Sequence, residues 1–243
     1  MLTGSAQARP ADRATIVFDF DGTVALGDGP VLAYAEAAFA LLDPARAATA
    51  RTTIARVLAG QDHRWPDPYV AVASLCAEVD PAELQIAYLR SREDLARDGL
   101  GVTAPDGLAA ALDRWQPHAE RVLVTNSPAR GTVEALERLD LATRFDQVVV
   151  GAGKPDGLPA ILQTLLDGRP AHHLVSIGDH WPNDLRPALE LGCIALAVSA
   201  DSEPAPAHAH ATSVTDLLPV IDTWLADPDG FAADHDLLGR GVS

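Results

Sequence analysis

Apolar positions along the chain change period twice. Thr15-Ile16-Val17-Phe18 is an unbroken apolar run ahead of Asp19, and Thr15–Asp19 is predicted to be a buried strand. From Pro30 to about Asp98 the pattern becomes helical and rich in Ala and Leu. It predicts helices over Val31–Leu42, Pro44–Ala59, Pro68–Glu78 and Pro81–Asp98. Pro44 and Pro81 each follow an Asp, as expected of an N-cap with Pro in the first helical position. Between the second and third helices, residues 60–67 form a polar loop that carries one large aromatic, Trp65.

From Val102 onward, strand and helix patterns alternate. Helices are predicted over Asp106–Trp115, Pro128–Leu139, Asp156–Asp167, Pro182–Leu191 and Val214–Ala226. Strands are predicted over Arg121–Thr125, Phe145–Val150, His173–Ile177 and Cys193–Val198. Such alternation implies a parallel sheet with helices on both faces. The expected fold is therefore α/β, with a Rossmann-like, doubly wound parallel core. Residues 24–103 interrupt it after the first strand and read as an inserted all-α cap, leaving 1–23 and 104–243 as the core. Residues 1–14 read as a loose tail, Ala200–Ala211 as a loop and the last dozen residues as weakly ordered.

Composition narrows the partners. Eighteen basic against 34 acidic residues give a net charge of −16 over 243 residues. That argues against nucleic acid and against an anionic membrane surface. Any phosphorylated substrate would need a local positive site. Cys76 and Cys193 are far apart and form no Cys-x-x-Cys pair, so both read as small buried hydrophobes. The first 14 residues lack the apolar segment of a signal peptide, and no apolar run is long enough to span a membrane. A cytoplasmic protein is expected, as a monomer or weak homodimer. Of the 18 basic residues only Lys154 is lysine, which suggests a position that needs a compact ammonium, although chance retention is the alternative.

Candidate chemistry lies at strand ends. Asp19 and Asp21 flank Phe20 after the first strand, and alternation along an extended chain can place both carboxylates on one side. Two such groups repel unless a cation lies between them, and an all-oxygen site suits Mg²⁺. The alternative is a solvated Asp-x-Asp turn. Val122–Val124 runs into Thr125-Asn126-Ser127-Pro128, where a hydroxyl beside a helix start can cradle an anion. A plain N-cap by Ser127 is the competing reading. Gly151-Ala152-Gly153-Lys154-Pro155 follows another strand and matches neither a Walker loop nor Gly-x-Gly-x-x-Gly. Asp179 and Asp184 stand five apart across a turn that enters a helix.

These motifs in this order (Asp-x-Asp-Gly-Thr, strand-Thr-Asn, Gly-Lys-Pro and Gly-Asp-x-x-x-x-Asp) resemble the haloacid dehalogenase (HAD) superfamily over about residues 15–200. The likeness is to the branch with a helical cap after the first strand. It implies a phosphomonoester hydrolase that works through an aspartyl-phosphate. Asp19 would be the nucleophile and Asp21 the general acid and later base. Thr125, with the Asn126 N–H, would hold the phosphoryl group, and Lys154 would stabilise its charge. Asp19, Asp21 through its carbonyl, Asp179 and Asp184 would serve the metal. Asp21 argues against a dehalogenase, and the absence of lysine from the cap argues against a phosphonatase. A sugar-phosphate mutase and a non-catalytic module on the same fold remain as alternatives.

The substrate is expected to be a small phosphorylated metabolite selected by the cap. Arg64 is the candidate for a second anionic group, beside Gln61, His63 and Trp65. Arg51 and Arg56 read as surface charge. Cap hinges are expected near Val24–Gly29 and Gly101–Pro105. Trp181 reads as packing against the cap, and His172, His173, His208 and His210 as surface histidines.

Overall fold

The first strand, β1 (Ala14–Phe18), is buried along its whole length. An unbroken apolar run is what a strand covered on both faces requires. In the computed structural model, which describes residues 13–199 and 206–235, β1 lies at the centre of a parallel sheet. The other strands are β2 (Ala119–Val124), β3 (Gln147–Val149), β4 (Leu174–Gly178), β5 (Ile194–Val198) and β6 (Ala209–Ala211). Their order is β3-β2-β1-β4-β5-β6, so β1 pairs with β2 on one side and β4 on the other. The chain reverses its direction of winding between β1 and β4. Ligands of open α/β sheets bind at such a switch point, beyond the strand C-termini.

Four helices lie between β1 and the rest of the core: α1 (Gly29–Phe39), α2 (Pro44–Leu58), α3 (Pro68–Leu75) and α4 (Pro81–Asp98). The starts of α2, α3 and α4 follow the Asp-Pro logic. Asp43 accepts from the N–H groups of Ala45 and Arg46, both at 3.1 Å. Asp80 accepts from Ala82 at 2.7 Å and Asp67 from Val70 at 2.9 Å. The four helices bury a core of their own, including Tyr34, Phe39, Ile54, Val72 and Cys76. The sheet has one core on each face. Phe18, Trp115 and Trp224 belong to one, and Val17, Val122 and Leu162 to the other.

The core helices are α5 (Leu108–Trp115), α6 (Ala129–Arg138), α7 (Leu158–Leu166), α8 (Arg186–Glu190), α9 (Val214–Ala226) and α10 (Pro228–Asp234). The helix expected over Pro182–Leu191 is divided: a wide turn over Trp181–Leu185 precedes a short α8. β6 falls where a loop was expected, and α10 begins in a stretch given no element and runs three residues into the last dozen, where weak order was expected. β6 is only Ala-His-Ala, too short to carry a period, and its strand character comes from pairing with β5. The expectations for residues 1–12, 200–205 and 236–243 lie outside the described residues. No described helix is long and apolar enough to cross a membrane.

The cap is joined to the core by more than its linkers. The linkers pair with each other: Leu26 N–H donates to Thr103 at 2.8 Å and Thr103 N–H returns to Leu26 at 3.0 Å. α4 is seated on α6. Arg138 donates to the Leu95 carbonyl at 3.0 Å and the Arg97 carbonyl at 2.7 Å, closing the C-terminal end of α4. Gly131 breaks the helical path of α6 at a φ of +90°. A Cβ there would lie 2.8 Å from the Arg92 carbonyl oxygen, so the glycine allows the two backbones to touch.

Candidate active site

The C-terminal ends of β1, β2 and β4 bring the sequence motifs together. Asp19, Asp179 and Asp184 each offer a carboxylate oxygen, and these atoms lie within 4.8 Å of one another. Lys154 reaches the same point from the loop after β3. Its ammonium donates to Asp19 at 2.7 Å, to Asp184 at 2.5 Å and to the Val124 carbonyl at 2.9 Å. Asn126 clips that loop in place: its amide donates to the Lys154 carbonyl at 2.9 Å, and the Lys154 N–H donates to its side-chain oxygen at 2.7 Å. Thr125 is buried and accepts from the Ser127 N–H at 3.0 Å. The wide turn after β4 carries Asp184 back beneath Gly178, and the His180 N–H donates to its carboxylate at 3.1 Å.

Asp21 stands apart from this trio. Its carboxylate turns toward the cap, where Arg92 of α4 donates to both oxygens at 3.2 and 3.0 Å. Ser127 donates to the same carboxylate at 2.6 Å. Ser127 is therefore not the helix N-cap: Pro128 holds that position, and the hydroxyl serves Asp21. Any share of Asp21 in a metal shell would come through its carbonyl.

The electrostatics reflect the crowding. Burial and the neighbouring Asp184 carboxylate push the Asp19 carboxyl up to about 7, although Lys154 opposes them. Burial and the charges of Asp19 and Asp184 hold Asp179 well above the usual carboxylate range. Burial works against the Lys154 ammonium, but Asp19 and Asp184 outweigh it and raise its pKa. Lys154 is one cation for a cluster of three carboxylates, and Asp179 has no ion-pair partner among the described residues. A Cβ on Gly22 would lie 2.2 Å from Asp179 Oδ2, so this glycine keeps the space around that carboxylate open. Hard oxygen donors, surplus negative charge and open space fit a Mg²⁺-sized divalent cation.

Above these groups lies a cavity of about 710 Å³ between core and cap. Asp19, Asp21, Thr125, Asn126, Lys154, Asp179 and Asp184 all line it. Arg64 does not. Its guanidinium is paired with Asp62 at 2.8 and 2.6 Å and lies 4.4 Å over the ring of Trp65, so the expected anion contact is corrected here. The arginine that reaches the site from the cap is Arg92. A signal for it exists in the sequence, because Tyr88, Ser91, Arg92 and Leu95 share the inward stripe of α4.

The other expectations divide. Arg51 pairs with Glu36 on the surface, as its surface-charge reading requires. Trp181, expected against the cap, packs instead on the core cluster of Leu185, Ala195 and Ala197. His172 and His173 both lie against Asp229 at the start of α10, at 2.6 and 3.2 Å. His208 accepts from the Ala195 N–H at 2.9 Å and so helps to hold the sheet edge.

Residues 16–188, well over half of the chain, match the family of haloacid dehalogenase-like hydrolases. The chain belongs to this HAD family. No curated protein matches it significantly by sequence. Solved structures agree on the fold. The HAD-hydrolase YfnB from Bacillus subtilis, described as bound to magnesium, aligns with a TM-score of 0.60 at 18% identity over 86% of this chain and 99% of that one. A predicted phosphoglycolate phosphatase from Haemophilus somnus 129pt gives 0.62 at 14% identity over 86% and 98%. A β-phosphoglucomutase homologue from Thermotoga maritima gives 0.55 at 20% identity over 86% and 99%. At these identities the likeness concerns the HAD fold, and the reaction must be argued from the site.

Proposed function

We propose that this HAD protein is a Mg²⁺-dependent phosphomonoester hydrolase that acts on a small phosphorylated metabolite through an aspartyl-phosphate. The observation that carries the reading is the division of labour between two carboxylates at one strand end. Asp19 faces Lys154 and the acidic cluster, while Asp21 faces the cavity with both oxygens fixed by Arg92 and Ser127. A reaction that needed only a carboxylate nucleophile would have no use for the second group.

Phosphoryl transfer asks mainly for positioning and charge stabilisation. An Asp19 oxygen forms a bond to phosphorus as the bond from phosphorus to the leaving oxygen breaks, and Asp21, entering this half in its protonated form, delivers that proton to the leaving oxygen and becomes the carboxylate. In the second half Asp21 takes a proton from water. The water oxygen attacks phosphorus, the aspartyl–phosphorus bond breaks, and inorganic phosphate leaves. Splitting one displacement into two is the advantage of a covalent nucleophile. Lys154 offsets charge on Asp19 and on the transferring group, and Thr125 with Asn126 bounds the phosphoryl end of the cavity. Mg²⁺ held by Asp19, Asp179 and Asp184 would supply the remaining positive charge. A net charge of −16 favours a small solute over nucleic acid or an anionic membrane.

The test is phosphate release from p-nitrophenyl phosphate with and without Mg²⁺, for the native chain and for Asp19→Asn. Mg²⁺-dependent release that disappears in Asp19→Asn is the expected result. Release that survives the substitution overturns the assignment of the nucleophile.

A further inference from the structure

The phosphoryl end of the cavity accounts for the core residues and leaves its cap wall unexplained. That wall is built around three tyrosines from three helices: Tyr34 of α1, Tyr69 of α3 and Tyr88 of α4. Tyr34 and Tyr69 stack at 6.1 Å, and Tyr88 meets them edge-on at 5.7 and 6.2 Å. Two of the hydroxyls are tied to the groups that hold Asp21. Arg92 donates to Tyr69 at 3.1 Å, and Tyr88 lies 3.4 Å from the Ser127 hydroxyl. The Tyr34 hydroxyl has no hydrogen-bond partner among the described residues. Across from the cap, both ring nitrogens of His180 are buried without a hydrogen bond, and Asp67 lies 3.5 Å from one of them.

Charge sharpens the picture. The charged residues that the cap contributes to the lining are Asp28, Asp67 and Arg92. Arg92 is 1% exposed, is paired with Asp21 and lies over the faces of Tyr69 and Tyr88 at 5.5 and 5.3 Å. Its charge is already committed. A second anionic group on a substrate would meet Asp28 and Asp67, would have to take Arg92 from Asp21, or would rely on His180, which Asp67 already approaches, and the first two routes carry a desolvation or pairing cost. Aromatic faces with a few neutral polar atoms suit a ring without charge.

We propose that this chamber is the subsite for an uncharged, ring-bearing leaving group, so that the substrate is the phosphomonoester of an uncharged cyclic alcohol. The inference rests on the phosphomonoester reading above and adds the class of alcohol.

Calorimetric binding to Asp19→Asn, with and without Mg²⁺, tests the subsite apart from turnover. The probes are phenyl phosphate, 4-carboxyphenyl phosphate and ethyl phosphate. Phenyl phosphate is expected to bind at least about tenfold more tightly than either of the others. Adding Tyr34→Leu should shrink the advantage over ethyl phosphate to about threefold or less, while Tyr34→Phe, which keeps the ring, should retain most of it. Equal or tighter binding of 4-carboxyphenyl phosphate would mean that Arg92 or His180 recognises a second anion, and would overturn the proposal. So would equal binding of phenyl and ethyl phosphate, or no binding of any probe. Phosphate release by the native chain is scored separately. Selective binding without release from any ester would remove the hydrolase reading and leave the subsite. Release without selectivity would remove the subsite alone.

Discussion

Arg92 and Asp21 join the cap to the chemistry: a guanidinium that is 1% exposed donates to both oxygens of the carboxylate after β1, at 3.2 and 3.0 Å. The helix that carries Arg92 is itself held on the core by Arg138 and by the close approach at Gly131. Arg92 therefore acts as a positioning residue for Asp21 from a fixed support. Arg92→Met leaves Asp21 with Ser127 as its side-chain partner. We expect kcat to fall about 10²-fold with a smaller change in KM, since part of the general acid–base contribution is lost. Arg92→Lys should not restore it, because one ammonium cannot reproduce a two-pronged contact. Steady-state phosphate release by both variants is the check. A fall in kcat/KM that lies wholly in KM would instead place Arg92 in substrate binding.

Asp179 and Asp21 separate the metal question from the proton question. Asp179 belongs to the carboxylate trio, whereas the Asp21 side chain points to Arg92 and Ser127. Mg²⁺ at one hundred times its Kd should stabilise the native fold by about 2.7 kcal/mol, reversibly with a chelator. Asp179→Asn should lose most of that gain, while Asp21→Asn should keep it. Thermal unfolding with and without Mg²⁺ reads all three proteins. Equal loss in both variants would mean that the Asp21 carboxylate is itself a ligand.

The strand-end motifs were legible because each consists of a polar residue placed where an apolar run stops. Asp19, Thr125, Lys154, Asp179 and Asp184 needed only a parallel sheet to converge, and β1, β2, β3 and β4 supply it. The cap half of the site was harder to read. Tyr34, Tyr69, Tyr88 and Arg92 lie on three helices, and each by itself fits an ordinary inward stripe. Their meeting depends on helix packing, which a one-dimensional pattern does not encode. Arg64 stands out in one dimension because it lies in a polar loop beside Gln61, His63 and Trp65. Asp62, two residues earlier, takes its charge locally. β6 depends on its neighbour in the same way, as three residues paired to an existing edge.

Lys154 is expected to matter for stability as well as for rate. It is 4% exposed at its side chain and lies between Asp19 and Asp184. Lys154→Met leaves two buried carboxylates without that cation. Breaking a buried pair in this way costs about 3 kcal/mol or more. Loss of the positive charge beside the transferring group should lower kcat a further 10²- to 10³-fold, roughly the effect of removing one preorganised donor. Lys154→Arg keeps the charge but puts a planar fork into a site built for a point charge, so it should recover stability in part and rate little. Urea unfolding combined with phosphate release distinguishes the two effects. A Lys154→Met protein as stable as the native chain would show that the carboxylates find another partner.

At the other end of β2, Arg121 and Asp146 form a structural pair that sets a pH limit on the fold. Asp146 accepts from the Arg121 side chain twice at 3.0 Å and from its N–H at 2.9 Å, and Arg121 is 5% exposed at its side chain. Burial disfavours the Asp146 carboxylate, but Arg121 outweighs it and holds the carboxyl below its usual value. The folded state thus binds this proton less readily than the unfolded chain, where Asp titrates near about 3.9. The pair's contribution is complete above that pH and is lost as the pH falls through the lower, folded value. Asp146→Asn should cost about 2 kcal/mol at neutral pH, the scale of hydrogen bonds to a charged group. The gap between native and variant should stay constant from about pH 6 to 8 and close below about pH 4. Urea unfolding across this range is the measurement. A gap that persists at the acid end would show that the difference between native and variant does not come from the Asp146 charge.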